Sequence, residues 1–263
     1  MGAIVCAAIS FLPDLATGRW ILAAVAATLV GIAKTGVPGF GTLAVPLMVL
    51  AVGDARYAAG WLLPLLCVAD VFAVAIYRRK AYARRLVVLF PWVLVGMGAG
   101  AIALAGPERV LRPVVAVIVI GMIAFRWLRA RREPSPPSEA AATATATGQA
   151  AVYGGAAGFA TTIANAAGPV MSLYLLAKRL PKDEFVGTGV WFFLIVNLCK
   201  LPIYTAHGLV NARSLAFDVV LIPAVVAGAG LGRVLLGRLA QRTFERLVLA
   251  LTIVAAGMLL IPK

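Results

Sequence analysis

Charge is what this chain has least of. Only 13% of its 263 residues are Asp, Glu, Lys or Arg, while 62% are hydrophobic and the mean hydropathy is +0.98. A soluble domain carries about a quarter charged residues, so most of this chain must face lipid or other buried segments. Acid is scarcest, with 10 Asp and Glu against 24 Lys and Arg and a net charge of +14. The basic residues cluster between apolar runs, as cytoplasmic loops do, so no nucleic-acid partner is expected. There is one histidine, and Cys6, Cys67 and Cys199 stand apart in apolar surroundings. That excludes metal-ligand spacing and a disulfide framework. No His-Glu-x-x-His, Gly-x-Ser-x-Gly, close carboxylate pair or Walker sequence occurs, so neither an enzyme, nor an ATP-driven pump, nor a cofactor is expected. The first residues lack a basic lead, and Asp14 and Arg19 follow a short apolar stretch, which is unlike a signal peptide.

What is present is a series of long apolar runs that do not alternate, so a β-barrel is disfavoured. The fold class is all-α: a polytopic membrane protein whose first partner is the lipid bilayer. The first span covers about 20–36 and runs into Gly31-Ile-Ala-Lys-Thr-Gly-Val-Pro-Gly-Phe-Gly41, where a membrane helix should be uninterrupted. A break at membrane depth is tolerated only where protein or a water-filled cavity covers the freed backbone. The apolar run at 42–52 is too short to span comfortably, so it either crosses as a half-helix or re-enters. Full spans follow at about 57–77, 86–105 and 110–127. Residues 133–149 are Pro-, Ser-, Ala- and Thr-rich and read as a flexible, solvated link.

The second half repeats the first. At an offset of 127, Gly31, Ala33, Thr35, Gly41, Gly60, Ile76 and Tyr77 match Gly158, Ala160, Thr162, Gly168, Gly187, Ile203 and Tyr204. Further on the offset becomes 132, and Val87-Val-Leu-x-Pro-x-Val-x-x-Gly-x-Gly-x-Gly100 matches residues 219–232. The expected organisation is a first repeat at 19–127, a cytoplasmic link at 128–149 and a second repeat at 150–262. Each repeat holds a broken hairpin plus three spans, about eight full-length equivalents in all. Three spans is an odd number, so the repeats have inverted topology. Basic residues gather at 78–85, 126–132, 178–182 and 233–246, with fewer in the alternate loops. This puts those loops and the link in the cytoplasm and both termini outside. Inverted repeats with broken helices that carry a substrate at the midplane mark many secondary transporters.

The candidate substrate site therefore combines the two breaks: Lys34, Thr35, Gly36, Gly39 and Gly41 in the first, and Thr161, Thr162, Asn165 and Gly168 in the second. Lys34 offers a positive charge to an anion, or else snorkels or pairs with a carboxylate. Thr35 and Thr162 donate to an oxyanion, or bond back to a helix carbonyl. Asn165, at the repeat position of Pro38, is the better donor. The glycines admit a ligand to the backbone, or serve helix packing. Asp70 reads as the one acid deep within a span. It either carries a coupling ion, H+ or Na+, with Asn197 and Lys200 in support, or forms a structural salt bridge with Lys34 or Lys200. Gly96-x-Gly-x-Gly100 and Gly228-x-Gly-x-Gly232 read as helix-packing stripes. Tyr77 and Tyr204 read as interfacial anchors.

Lys34-Thr-Gly-Val-Pro-Gly-Phe-Gly41, Val45-Pro46, Leu63-Pro64 and Asp70 resemble the TauE/SafE family of sulfite exporters and related permeases. Thr161-Thr-Ile-Ala-Asn-Ala-Ala-Gly-Pro169 is similar to that family's second motif. The resemblance implies transport of sulfite, an organosulfonate or a related sulfur anion across the inner membrane. An uncoupled anion channel of the same architecture is the alternative.

Overall fold

The computed structural model describes residues 12–78, 83–103 and 139–260, with isolated helical positions between 114 and 124. The expected span at 110–127 and the start of the link therefore lie largely outside the described residues. Among the described residues there is no strand. The helices are α1 (Thr17–Thr35), α2 (Gly41–Val52), α3 (Ala55–Tyr77), α4 (Ala83–Ala103), α5 (Glu139–Ala164), α6 (Ala167–Ala177), α7 (Lys182–Ala206), α8 (Ala212–Arg238) and α9 (Gln241–Leu260). Five of them, α1, α3, α4, α7 and α8, are long and apolar enough to cross a membrane. Pro64, Pro91, Pro202 and Pro223 all lie inside helices.

The stretch read as a flexible link behaves differently over its second part. Helix α5 begins at Glu139 and runs without interruption to Ala164. Its first turns are built from Ala and Thr, and alanine is the strongest helix former. The proline-rich residues lie before Glu139, so they do not interrupt it.

The first break is a turn, not a crossing. Helix α1 stops at Thr35, Val37 is extended as a residue before proline should be, and Pro38–Phe40 form one 3-10 turn that leads into α2. Helix α2 ends on Gly53, at a φ of 93° that favours glycine, and the Gly53 amide closes on the Val49 carbonyl at 2.7 Å. Asp54 then caps α3, accepting from the Arg56 and Tyr57 amides at 2.8 and 2.9 Å. A Cβ on Gly53 would stand 3.7 Å from the Arg19 guanidinium. Helix α2 has therefore carried the chain back to the level where α1 began, and the hairpin re-enters. The second break makes the same kind of turn at residues 165–166, and Lys178, just past α6, donates to Gln149 of α5 at 3.0 Å.

The chain packs into two compact units that cut across the sequence halves. One is built from residues 1–79 and 190–240, the other from 80–189 and 241–263. In the first unit α1 packs mainly on α8, and in the second α5 packs mainly on α4. Each hairpin thus lies against a helix from the opposite half of the sequence, and the contacts correspond one for one. A Cβ on Gly228 would overlap the Thr28 carbonyl, and one on Gly96 the Gly155 carbonyl. Gly31 meets Val225 and Ala229, while Gly158 meets Val93 and Met97. Gly232 meets Thr35, and Gly100 meets Thr162. These pairings follow the sequence offsets of 127 and 132.

In both glycine stripes the outer two residues touch the partner helix, while the middle ones, Gly98 and Gly230, have nothing within 4 Å. This is i, i+4 packing on one helix face, where small residues let backbones approach closely. Gly228→Ala is expected to lower stability by about 1–3 kcal/mol through overpacking. Gly230→Ala, with open space, is expected to raise it by about 0.5–1 kcal/mol through helix propensity. Thermal unfolding in detergent checks both, and equal effects would contradict the assigned face.

Candidate functional site

The first unit gathers charge where an apolar protein should have none. Helix α1 places Lys34 in its last turn, beside carbonyls that carry the negative end of the helix dipole. Its ammonium meets the Asp70 carboxylate at 2.7 Å and lies 4.1 Å from the centre of the Phe193 ring. The other carboxylate oxygen of Asp70 accepts from the Asn197 amide at 2.6 Å. Asp70 and Asn197 occupy equivalent positions of the sequence repeat, so the two repeat partners are bonded to each other. Lys200, one turn beyond Asn197, is fully buried, lies within electrostatic range of Lys34 and Asp70, and has its ammonium 5.6 Å from the Tyr204 ring. Two buried lysines thus share one buried aspartate, and both ring faces that receive them are of a kind that attracts cations.

A second layer ties the hairpin tip to its surroundings. The Thr35 hydroxyl donates to the Ala229 carbonyl at 2.6 Å and lies 3.1 Å from that of Gly31. The Tyr77 hydroxyl donates to the Thr35 carbonyl at 2.7 Å, and Arg233 donates to the Tyr77 oxygen at 3.1 Å. Tyr77 and Tyr204 are both buried, so they are not interfacial anchors. Tyr77 instead answers a carbonyl left open where α1 ends.

Several sequence-derived candidates have structural work. The one hydroxyl proton of Thr35 is engaged with Ala229, which fastens α1 to α8. Thr162 bonds back to Gly158 at 2.9 Å. A Cβ on Gly36 would crowd the Gly232 carbonyl, and one on Gly41 would lie 3.3 Å from Ala33, so both serve close packing. Gly39 is buried, and its carbonyl accepts from Thr42 at 2.6 Å. The Phe40 and Gly41 amides are occupied within the 3-10 turn. The break in the first unit therefore offers an anion side-chain charge more than open backbone donors.

The second break is described in its own unit. Asn165 is half-buried with φ 51°, a left-handed conformation that asparagine accepts more readily than most residues. Its backbone role accounts for an asparagine at this turn. Thr161 is buried just before the turn, and Gly168 stands at the start of α6.

Two residues escaped the sequence reading. Asp70 is not alone as a deeply buried acid, because Asp218 of α8 is also buried. It lies only two turns from the start of its helix, where an acid reads as interfacial. Cys67 lies within electrostatic range of Asp70, Lys200, Lys34 and Asp218, a relation that sequence separation hides.

Removing one member of a buried pair strands the other. Lys34→Met is expected to cost about 3–5 kcal/mol, and Lys34→Met with Asp70→Leu is expected to recover most of that. A double-mutant unfolding cycle checks it, and strict additivity would mean the two charges do not interact.

Comparison with curated proteins and with solved structures gives no match. A family model described as "Sulfite exporter TauE/SafE" matches residues 20–259. The match takes in both breaks, the buried charge cluster and the paired glycine stripes, and the chain belongs to the TauE/SafE sulfite exporter family.

Proposed function

We propose that this protein is a secondary transporter of the inner membrane that moves a small sulfur-containing anion, sulfite or an organosulfonate. The observation that carries the reading is the ionisable cluster buried at the end of α1, where Lys34 pairs with Asp70 and Lys200 lies within electrostatic range of both. Intramembrane ionisable residues are costly and mark transport pathways. In this reading the anion approaches the Lys34 ammonium and competes with Asp70 for it. Asn197 fixes the carboxylate so that Lys34 returns to it when the anion leaves.

The matched contacts of α1 with α8 and of α5 with α4 support two repeats of one design. We take these as inverted with respect to the membrane, with both termini outside and the basic loops cytoplasmic. A membrane potential supplies about 2.3 kcal/mol per elementary charge per 100 mV. With the outside positive, that favours anion exit without any coupled ion, and import is the direction that needs one.

Counterflow of labelled sulfite in proteoliposomes tests the reading. Wild type is expected to accumulate label against unlabelled sulfite inside, and Lys34→Ala is expected to lose it by about tenfold or more. Sulfite flux without counterflow would make the protein a channel, and no flux for sulfite or any sulfonate would overturn the substrate class.

A further inference from the structure

The Lys34–Asp70 cluster does not account for the other buried acid of the first unit. Asp218 is 4% exposed, and both of its carboxylate oxygens are buried without a hydrogen-bond partner among the described residues. The Lys34 ammonium is paired with Asp70. Ser214, one turn earlier on α8, is taken up by the capping box with Asn211.

The residue before Asp218 sits among aromatic rings. The neighbouring Phe217 ring packs against Trp20 of α1 at 5.0 Å and Trp61 of α3 at 5.1 Å. Trp61 carries the other buried group without a partner here, its indole N–H. Of the charged groups on α8 and the elements around it, Arg19 of α1, Asp54 and Arg56 at the start of α3 and Arg213 of α8 are exposed at the rim, Arg233 and Arg238 lie toward the other end of α8, and Lys34, Asp70 and Lys200 belong to the cluster described above. Cys67 of α3 is the titratable side chain electrostatically coupled to Asp218, and it is coupled to that cluster as well.

A buried carboxyl group with neither a cation nor a donor beside it either holds its own proton or awaits an ion. Among the described residues no group of three acidic, histidine or cysteine side chains is placed to hold a metal ion. A single carboxylate supplies too few oxygen ligands for a hard cation, which takes about six or more. A proton needs only the carboxylate itself. Asp218 lies six residues into α8, about 9 Å along the helix at 1.5 Å per residue. That is within reach of the rim marked by Arg19, Gly53 and Asn211.

We propose that Asp218 is a proton-binding site that couples proton movement to anion transport, leaving Asp70 as the counter-ion of Lys34. The inference rests on the transporter reading and extends it. One O–H bond forms on Asp218 when a proton enters from the rim, and the same bond breaks when the site opens to the opposite side. One proton is carried per turnover, and no electrons move.

The test is Asp218→Asn in proteoliposomes, with two transport assays on the same preparation. Sulfite counterflow at equal pH on both sides is expected to stay within about twofold of wild type, because it needs no net proton movement. Sulfite accumulation driven by a pH gradient, and the accompanying proton flux, are expected to fall about tenfold or more. Wild-type accumulation in Asp218→Asn would overturn the assignment while leaving the transporter intact. So would a wild type that shows counterflow but ignores the pH gradient. Infrared spectroscopy supplies a readout independent of transport. Wild type is expected to show a protonated-carboxyl C=O band at neutral pH that Asp218→Asn lacks. Identical carboxyl regions in the two proteins would overturn the proposal, whether or not sulfite is the substrate.

Discussion

A lysine can be carried to the tip of an apolar hairpin only if something there answers its charge, and the ion pair of Lys34 with Asp70 does so. The pair joins the end of α1 to the middle of α3 and so fixes how deep the hairpin reaches. Asn197 takes the second oxygen of the same carboxylate, which brings α7 to the same point. Lys200 is buried within electrostatic range of the same pair. A buried pair alone contributes little to stability, because desolvation offsets its attraction. Ionisable residues kept at such a cost inside an apolar protein mark transport pathways.

Backbone packing sets the frame that holds this charge in place. The glycines of α8 let α1 approach until a carbonyl of one helix lies against the backbone of the other, and the Thr35 hydroxyl then bridges to Ala229. The same residues at the repeat positions do the same work between α4 and α5. Each compact unit therefore needs helices from both halves of the chain. The halves resemble each other in sequence, yet neither contains the full set of contacts it needs to pack.

Much of this was legible in the sequence, for identifiable reasons. Three glycines and a proline crowded into residues 36–41 announced the break, because each weakens a helix and together they end it. The spacing of Gly96 with Gly100 and of Gly228 with Gly232 marked a helix face, and the open space at Gly98 and Gly230 agrees with that spacing. The pairing of Lys34 with Asp70 was one of two readings of residues too costly to bury alone. What stayed hidden depends on distant partners. Whether α2 crosses or returns is decided where Gly53 meets Arg19. The roles of Thr35 and Tyr77 depend on Ala229 and on each other. Asp218 is not singled out by the sequence because nothing local shows that its level of α8, two turns from the helix start, is buried, with the adjacent Phe217 packed on Trp20 and Trp61. The helical start of α5 was masked by the prolines that precede it.

The central claim is that the buried lysines of this cluster hold the anion, and equilibrium binding tests it most directly. Sulfite affinity would be measured by calorimetry on purified protein in detergent, for wild type and for Lys200→Met, which leaves the Lys34–Asp70 pair intact. The account predicts that wild type binds sulfite and that Lys200→Met weakens binding about tenfold or more, a loss of about 1.4 kcal/mol or more, while remaining folded. Unchanged affinity in a folded Lys200→Met protein would contradict it and place the anion elsewhere.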